Sequence, residues 1–363
     1  MSYKPTTVHD LHGFDTLIDA RSPSEYALDH IPGAINCPVL DDEERRIVGT
    51  IYVQNSAFEA RRIGGAMVAQ NLARHLREQF HDRPRNWRPL VYCWRGGLRS
   101  GSFVTWLRLV GWDAQQLQGG YKAWRSHVIA ANDVLAAGLR LRVLCGPTGS
   151  AKTRVLHALA GMGEQVLDLE ALASHRGSVL GAVPGVEQPS QKAFETRLYS
   201  AMQSLDPGRV VWVEAESRRI GRVALPEALL QRLRASPVVE IVAPVQARLA
   251  YLLRDYAWLG DDPQGLVEKI GALKGMLPNE TLARWQDWAQ ARALPPLFEE
   301  MMTRHYDPLY ARSQGRHLQR LGDAVQVTAP DLSPAGIDAL ARRVADAILP
   351  ADLAACRTNP ADA

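Results

Sequence analysis

Short apolar runs alternate with amphipathic stretches along the first third of the chain. Residues 15–20 (DTLIDA) read as a strand, and Arg21-Ser22-Pro23-Ser24-Glu25-Tyr26 as a capped turn into a helix. His30-Ile31-Pro32-Gly33-Ala34 is a turn feeding a short strand at 35–39. From 56 to 80, Ile63, Met67, Val68, Leu72 and Leu76 keep the spacing of a helix with one buried face. Pro84 and Pro89 break the chain before Leu90-Val91-Tyr92, a buried strand. Another strand precedes Gly119-Gly120, and a helix starts at Tyr121. This alternation implies an α/β domain built on a mainly parallel sheet.

The pattern loosens around 132–138 and restarts with a strand at 139–145, which runs into a glycine-containing loop and a helix. Further strands are expected at 165–169, Val210–Glu214 and Val238–Val242, so a second α/β domain begins near residue 138. The stretch 265–349 reads as mostly helical. The expected organisation is one domain at 1–137, a second at 138–350 and a frayed tail at 351–363. Each domain falls in the ordinary size range for a chain of 363 residues.

Composition narrows the class. With 46% hydrophobic and 22% charged residues, the chain can bury two cores, which excludes disorder for most of its length. No run approaches the ~18 apolar residues of a membrane span, and the first residues lack a secretory signal, so the cytosol is the expected compartment. Cys37, Cys93, Cys145 and Cys356 are too few and too scattered for a disulfide framework or a zinc site, and no metal ligands are assigned from spacing. The net charge is only +3, but just six of the 42 cations are lysines. Guanidinium forks suit RNA or diphosphate ligands; codon bias in a GC-rich genome accounts for the same excess.

Two loops carry candidate chemistry. Cys93-Trp94-Arg95-Gly96-Gly97-Leu98-Arg99-Ser100 follows a buried strand and precedes a helix. A cysteine there sits at the carboxyl end of a parallel strand, where open α/β sheets build their sites. The glycines let N–H groups turn toward the sulfur, and Arg95, Arg99 and the helix start add positive charge, all favouring a nucleophilic thiolate. The second loop, from Gly146 through Gly149 to Lys152-Thr153, fits G-x-x-x-x-G-K-[ST] except that Ala151 replaces a glycine. Alanine suits that position if its φ is negative, as for a residue entering a helix. Gly146, Gly149 and Lys152 would cradle a diphosphate, and Thr153 could hold Mg²⁺. Glu214 and Glu216 stand where such domains usually carry an aspartate; they position a metal or a water, or face solvent at a strand end.

The order Leu17-Ile18-Asp19-Ala20-Arg21, His30-Ile31-Pro32-Gly33-Ala34, the cysteine loop and Gly119-Gly120-Tyr121…Trp124 resembles a rhodanese domain over residues 8–130. That resemblance implies that Cys93 carries a chalcogen, with Trp94, Arg95, Gly96, Gly97 and Arg99 in the surrounding cradle. A rhodanese domain followed by a P-loop NTPase-like domain with a mainly helical C-terminal part resembles the tRNA 2-selenouridine synthase family. Supporting stretches are Gly49-Thr50…Gln54…Phe58-Glu59-Ala60-Arg61, Asp168-Leu169-Glu170…His175-Arg176-Gly177-Ser178, Gln188-Pro189-Ser190-Gln191…Phe194-Glu195 and His305-Tyr306-Asp307-Pro308…Tyr310.

The resemblance implies replacement of sulfur by selenium at wobble-position 2-thiouridine. Selenophosphate is the implied donor, and the sulfur is first geranylated from geranyl diphosphate. Alkylation turns a poor leaving group into a better one; selenium would then pass through a covalent species on Cys93. His175, Arg176 and Arg218 become candidate diphosphate or tRNA contacts, or solvated surface residues. Arg74, Arg77, Arg83, Arg85, Arg88, Arg95 and Arg99 are a candidate part of the tRNA footprint, with Trp94 available to stack on an anticodon-loop base. Two other readings use the same loops: a sulfurtransferase with an ATP-driven partner domain, and a non-catalytic phosphate-loop regulator. A retained cysteine at 93 argues against the regulator.

Overall fold

The computed structural model describes residues 5–177, Gly181 and 185–347. The tail at 351–363 with Cys356, and Ser178 of the stretch that runs from Asp168 to Ser178, lie outside them. The chain divides into two units, one formed by Met1–Ala131 with Pro189–Tyr199 and the other by Asn132–Gln188 with Ser200–Ala363.

The first unit holds β1 (Thr16–Asp19), α1 (Pro23–Leu28), β2 (Ile35–Asn36), α2 (Asp42–Gln54), α3 (Ala57–Glu78), β3 (Pro89–Tyr92), α4 (Leu98–Val110), β4 (Gln115–Gln116) and the start of α5 (Gly120–Gly138). The four strands are parallel in the order β2-β1-β3-β4. Every β3 residue is buried, as a continuous apolar run flanked by strands and covered by helices requires. Local chemistry starts the helices: Glu25 accepts the Ser22 N–H at 3.3 Å, Asp41 caps α2 through Glu44 N–H at 2.7 Å, and Ser56 caps α3 through Glu59 N–H at 3.1 Å.

At the carboxyl end of β1, Asp19 and Arg21 form a fully buried pair at 2.6 Å. The Arg21 guanidinium also donates to Asp29 O at 2.7 Å and lies 3.8 Å from the Tyr121 ring centre. Two separated sequence motifs therefore meet face to face. Asp29 in turn accepts from the Tyr121 hydroxyl at 2.7 Å and from Thr196 at 3.1 Å. Thr196 belongs to the returning segment 189–199, whose Phe194 and Leu198 are fully buried.

The second unit contains β5 (Arg140–Cys145), α6 (Lys152–Gly161), β6 (Gln165–Leu167), α7 (Leu169–Ala173), the end of α8 (Gln191–Gln203), β7 (Val210–Glu214), a ribbon of β8 (Arg219–Ile220) with β9 (Val223–Ala224), α9 (Glu227–Ala235) and β10 (Val238–Val242). There follow α10 (Val245–Asp255), α11 (Pro263–Gly271), α12 (Asn279–Gln290), α13 (Leu294–Glu300), a π-helical turn (Met301–Tyr306), α14 (Asp307–His317), β11 (Val325–Thr328) and α15 (Pro334–Ala345). Five parallel strands run in the order β11-β10-β5-β7-β6 around a core that includes Trp212 and Trp285. Four of the strands fall where the pattern predicts them. The fifth, β11, lies within the carboxyl region, which is otherwise mostly helical as expected: it is a short edge strand with only Val327 buried, too brief for a periodic signal. No helix among the described residues is long and apolar enough to cross a membrane.

Candidate functional site

In the first unit, Cys93 follows β3 and is 3% exposed. The loop is held from behind by the start of α5, where Tyr121 N–H donates to Cys93 O at 2.8 Å and Lys122 N–H to Trp94 O at 2.9 Å. Gly120 makes this possible. Its φ is +58°, and a Cβ there would stand 2.3 Å from Cys93 O and 2.6 Å from Gly96 N. The Gly-Gly-Tyr motif, about 26 residues from the cysteine, is thus part of the cysteine loop's support.

Around the sulfur, Ser100 Oγ lies 3.0 Å from Cys93 Sγ, and Gln116 Nε2 donates to Ser100 Oγ at 2.8 Å. Arg99, expected beside the sulfur, is committed to Glu25 at 2.8 Å. Burial works against ionisation of Glu25, but Arg99 and Arg45 hold its carboxyl below its ordinary range. Arg95 and Gly97 are exposed, Gly96 is half-buried, and half-buried Trp94 packs between Tyr121 (ring centres 5.4 Å apart) and the Lys192 ammonium at 5.4 Å. The run of arginines does not form one patch. Arg83, Arg85 and Arg88 precede β3, whereas Arg95 and Arg99 follow its carboxyl end, so they sit at opposite ends of the strand. Arg88 is paired with Asp113 at 3.2 Å.

In the second unit, β5 leads into the loop Gly146–Thr153 and then α6. Lys152 Nζ donates to Gly146 O at 2.8 Å, drawing the loop into a ring. Gly146 has φ +151°, and a Cβ there would meet Ile241 O at 2.9 Å. Ala151 departs from expectation: its φ is +60°, in the left-handed region rather than the helical one. The loop's curvature demands that conformation before the first helical residue, and alanine accepts it with its side chain buried in the core.

The motif His305-Tyr306-Asp307-Pro308…Tyr310 is built against this loop. Gly146 N–H donates to the Tyr310 hydroxyl at 2.6 Å, and the Lys152 ammonium lies 5.4 Å from the Tyr310 ring centre. Asp307 binds buried Arg248 through two bonds, at 2.9 and 2.8 Å, and Arg248 donates to Thr148 O at 3.0 Å. The helical region therefore contributes directly to the phosphate loop's shape. Spacing signals conceal such a role, because its partners are 59 to 164 residues apart.

Beside the loop, carboxylate oxygens of Glu170, Glu214 and Glu216 lie within 4.8 Å of one another. Thr153 Oγ1 donates to Glu170 Oε2 at 3.3 Å. Glu214 is 4% exposed, which overturns the solvent-facing reading of this strand end, and its Oε1 has no hydrogen-bond partner. Burial, reinforced by neighbouring carboxylates, pushes Glu170 up to about 9 and Glu216 to about 8; burial raises Glu214 as well. In the sequence Glu170 is one residue of the stretch beginning at Asp168, and its meeting with the strand-end glutamates is visible only in three dimensions.

These groups open onto a cavity of about 520 Å³. One end is formed by Thr148, Gly149, Lys152, Thr153 and the glutamates; Arg176 and Arg218 also line it. The rest of the lining is mixed: apolar Leu230, Leu233, Phe298, Met301, Met302 and Leu318 stand together with Arg234, Tyr306 and His317. The π-helical turn supplies two of these methionines together with buried His305, whose imidazole is pushed down by burial. Arg176 is held by Asp255 at 2.7 Å and lies 4.9 Å from the Tyr256 ring centre. His175 is half-buried, accepts the Gly177 N–H at 3.1 Å, and is pushed down by burial toward its neutral form. Arg218 is exposed at the cavity rim.

Comparison with known proteins matches each half separately. Residues 5–127 match the family model of rhodanese-like domains, and residues 139–278 that of the tRNA 2-selenouridine synthase AAA domain. The tRNA 2-selenouridine synthase of Nitrosomonas europaea is 39% identical over 247 residues, covering 66% of this chain and 63% of its own length. The chain thus spans less than two thirds of that relative. The tRNA 2-selenouridine synthase of Shewanella denitrificans is 32% identical over 338 residues, covering 84% of this chain and 90% of that protein. The one of Cupriavidus necator is 33% identical over 349 residues, covering 86% and 92% respectively. By its two matched halves and this near full-length similarity, the chain belongs to the tRNA 2-selenouridine synthase family.

Proposed function

We propose that the chain replaces sulfur with selenium at wobble-position 2-thiouridine of tRNA, through an S-geranyl-2-thiouridine intermediate. Geranyl diphosphate and selenophosphate are the co-substrates. The observation that carries this reading is that one cavity joins the phosphate loop to a group of leucine, methionine and phenylalanine side chains. That arrangement matches a diphosphate attached to a hydrocarbon chain, and burying such a chain is favourable at about 25 cal/mol per Å².

In the first step the thiouridine sulfur displaces diphosphate from the geranyl carbon, and the N3 proton is released as C2 takes its thioether form. Lys152 and the loop N–H groups stabilise the departing diphosphate. His175, Arg176 and Arg218 are proposed as further diphosphate or tRNA contacts. The donor set beside the loop fits a hard divalent cation: the Thr153 hydroxyl with the carboxylates of Glu170, Glu214 and Glu216, one of them buried with a vacant acceptor. Mg²⁺ held there would neutralise charge on the diphosphate. In the second step the selenium of selenophosphate adds at C2, geranyl thiol is expelled, and hydrolysis of the Se–P bond releases phosphate; Cys93, in the loop formed by Trp94, Arg95, Gly96, Gly97 and Arg99, is proposed as the residue at which this exchange takes place.

The test is incubation with thiouridine-containing tRNA, geranyl diphosphate and selenophosphate, followed by mass spectrometry of the nucleosides. Geranylated and selenated products are expected. Lys152→Ala should slow geranylation about 100-fold or more, and Cys93→Ser should abolish selenation while sparing geranylation. Absence of any geranylated nucleoside, with ATP or GTP instead protecting the second unit against heat, would replace this reading with a nucleotide-driven one.

A further inference from the structure

The sulfur of Cys93 is met by a neutral donor, and the hydrogen bonds around that donor leave its proton a single direction. Gln116 Nε2 faces Gly97 O at 3.0 Å, and a carbonyl oxygen there can only accept, so the amide nitrogen is fixed on that side. The same nitrogen donates its second hydrogen to Ser100 Oγ at 2.8 Å. Gly97 O also accepts the Gly101 N–H at 3.0 Å, which uses its second lone pair. The Ser100 hydroxyl is fully buried and lies 3.4 Å from Gly97 O but 3.0 Å from Cys93 Sγ. Its proton is thereby directed at the sulfur.

We infer that Ser100 is a catalytic residue that stabilises the anionic sulfur of Cys93, and that Gln116 is the positioning residue that orients its proton. A hydroxyl donating to an anion makes a shorter and stronger bond than to a neutral thiol, so the contact favours the nucleophilic form. It serves equally whenever Cys93 sulfur acts as a leaving group, because negative charge then returns to the same atom. The charged side chains on the surrounding elements are engaged elsewhere. Asp19 and Arg21 at the end of β1 pair with each other, Arg99 on α4 pairs with Glu25, and the Tyr121 hydroxyl at the start of α5 is bonded to Asp29. Arg95 on the loop itself is exposed.

This inference rests on the reading of Cys93 as the chalcogen-handling group, and its test is independent of selenium chemistry. The rate at which iodoacetamide alkylates Cys93 in the full chain is followed by mass spectrometry of its peptide across pH 5–10. For Ser100→Ala the half-maximal rate should move to higher pH, with alkylation at neutral pH slowed about tenfold, the equivalent of one pH unit. Ser100→Thr should restore the original profile, and Gln116→Leu should give an intermediate displacement. Superimposable profiles for the parent and Ser100→Ala would overturn the inference. If Ser100→Ala fails to fold, Gln116→Leu alone decides, an unchanged profile again counting against it. Selenation by a Cys93→Ser variant would instead overturn the parent reading and leave the hydrogen-bond result standing.

Discussion

Ala151 shows how a departure from a motif is absorbed. A left-handed φ costs a residue with a Cβ roughly 1–2 kcal/mol. Burial of its methyl returns about 0.8 kcal/mol, and the smaller unfolded-state entropy of alanine relative to glycine about as much again. Ala151→Gly is therefore expected to change unfolding free energy by less than about 1 kcal/mol, whereas Ala151→Val, β-branched in the same conformation, should cost more than about 2 kcal/mol by urea denaturation. The buried glutamates make a different prediction. Glu170 and Glu216 are held protonated to about 9 and about 8, well above the ordinary carboxyl range they return to on unfolding. The folded chain thus binds more protons through that window, and its stability should fall as pH rises from about 5 to about 9. Thermal unfolding at a series of pH values without divalent cations checks this. Glu216→Gln should flatten the slope, and Mg²⁺ should raise the melting temperature most at the alkaline end. A slope of opposite sign would mean the carboxylates are ionised together in the fold.

Elements matter here mainly through the ends they present to each other. The start of α5 is pressed so closely on the cysteine loop that Gly120→Ala must displace the backbone of Cys93. Loss of more than about 2 kcal/mol and loss of selenation are both expected, measured by denaturation and nucleoside analysis. α14 plays the corresponding part in the other unit. Asp307→Ala would strip a partner from Arg248, whose side chain is 6% exposed, and truncating one side of such a buried pair costs about 3–5 kcal/mol. Much of this layer is legible in sequence. β3, α3, β5 and α6 each carry a strong local signal: a continuous apolar run, a long i, i+4 stripe, or a strand entering a glycine loop. β11 is not legible, since four residues with one buried position carry no period. The cysteine and phosphate loops could be read because each is a contiguous motif. The gathering of Glu170 with Glu214 and Glu216, and the seating of Tyr310 on Gly146, could not, because both are made by packing across 44 and 164 residues.

On the scale of the whole molecule, the chain leaves its first unit at Ala131 and returns to it from Pro189 to Tyr199. That return supplies Thr196 to Asp29, Glu195 as the ion-pair partner of Arg125, and two fully buried apolar side chains. A fragment ending at Ala131 should therefore melt well below the same unit in the intact chain, and a peptide of residues 188–203 added to it should raise the transition. An unaltered transition with and without the peptide would show that the returning segment adds nothing to the unit. The order of synthesis gives this topology a further consequence. A ribosome that has finished Ala131 must add about 70 more residues before Tyr199 is made, roughly 3–14 s at ordinary elongation rates of ~5–20 residues per second. During that interval the nascent first unit has Asp29 without its hydroxyl from Thr196, and it closes only once the phosphate loop has already left the peptidyl transferase centre.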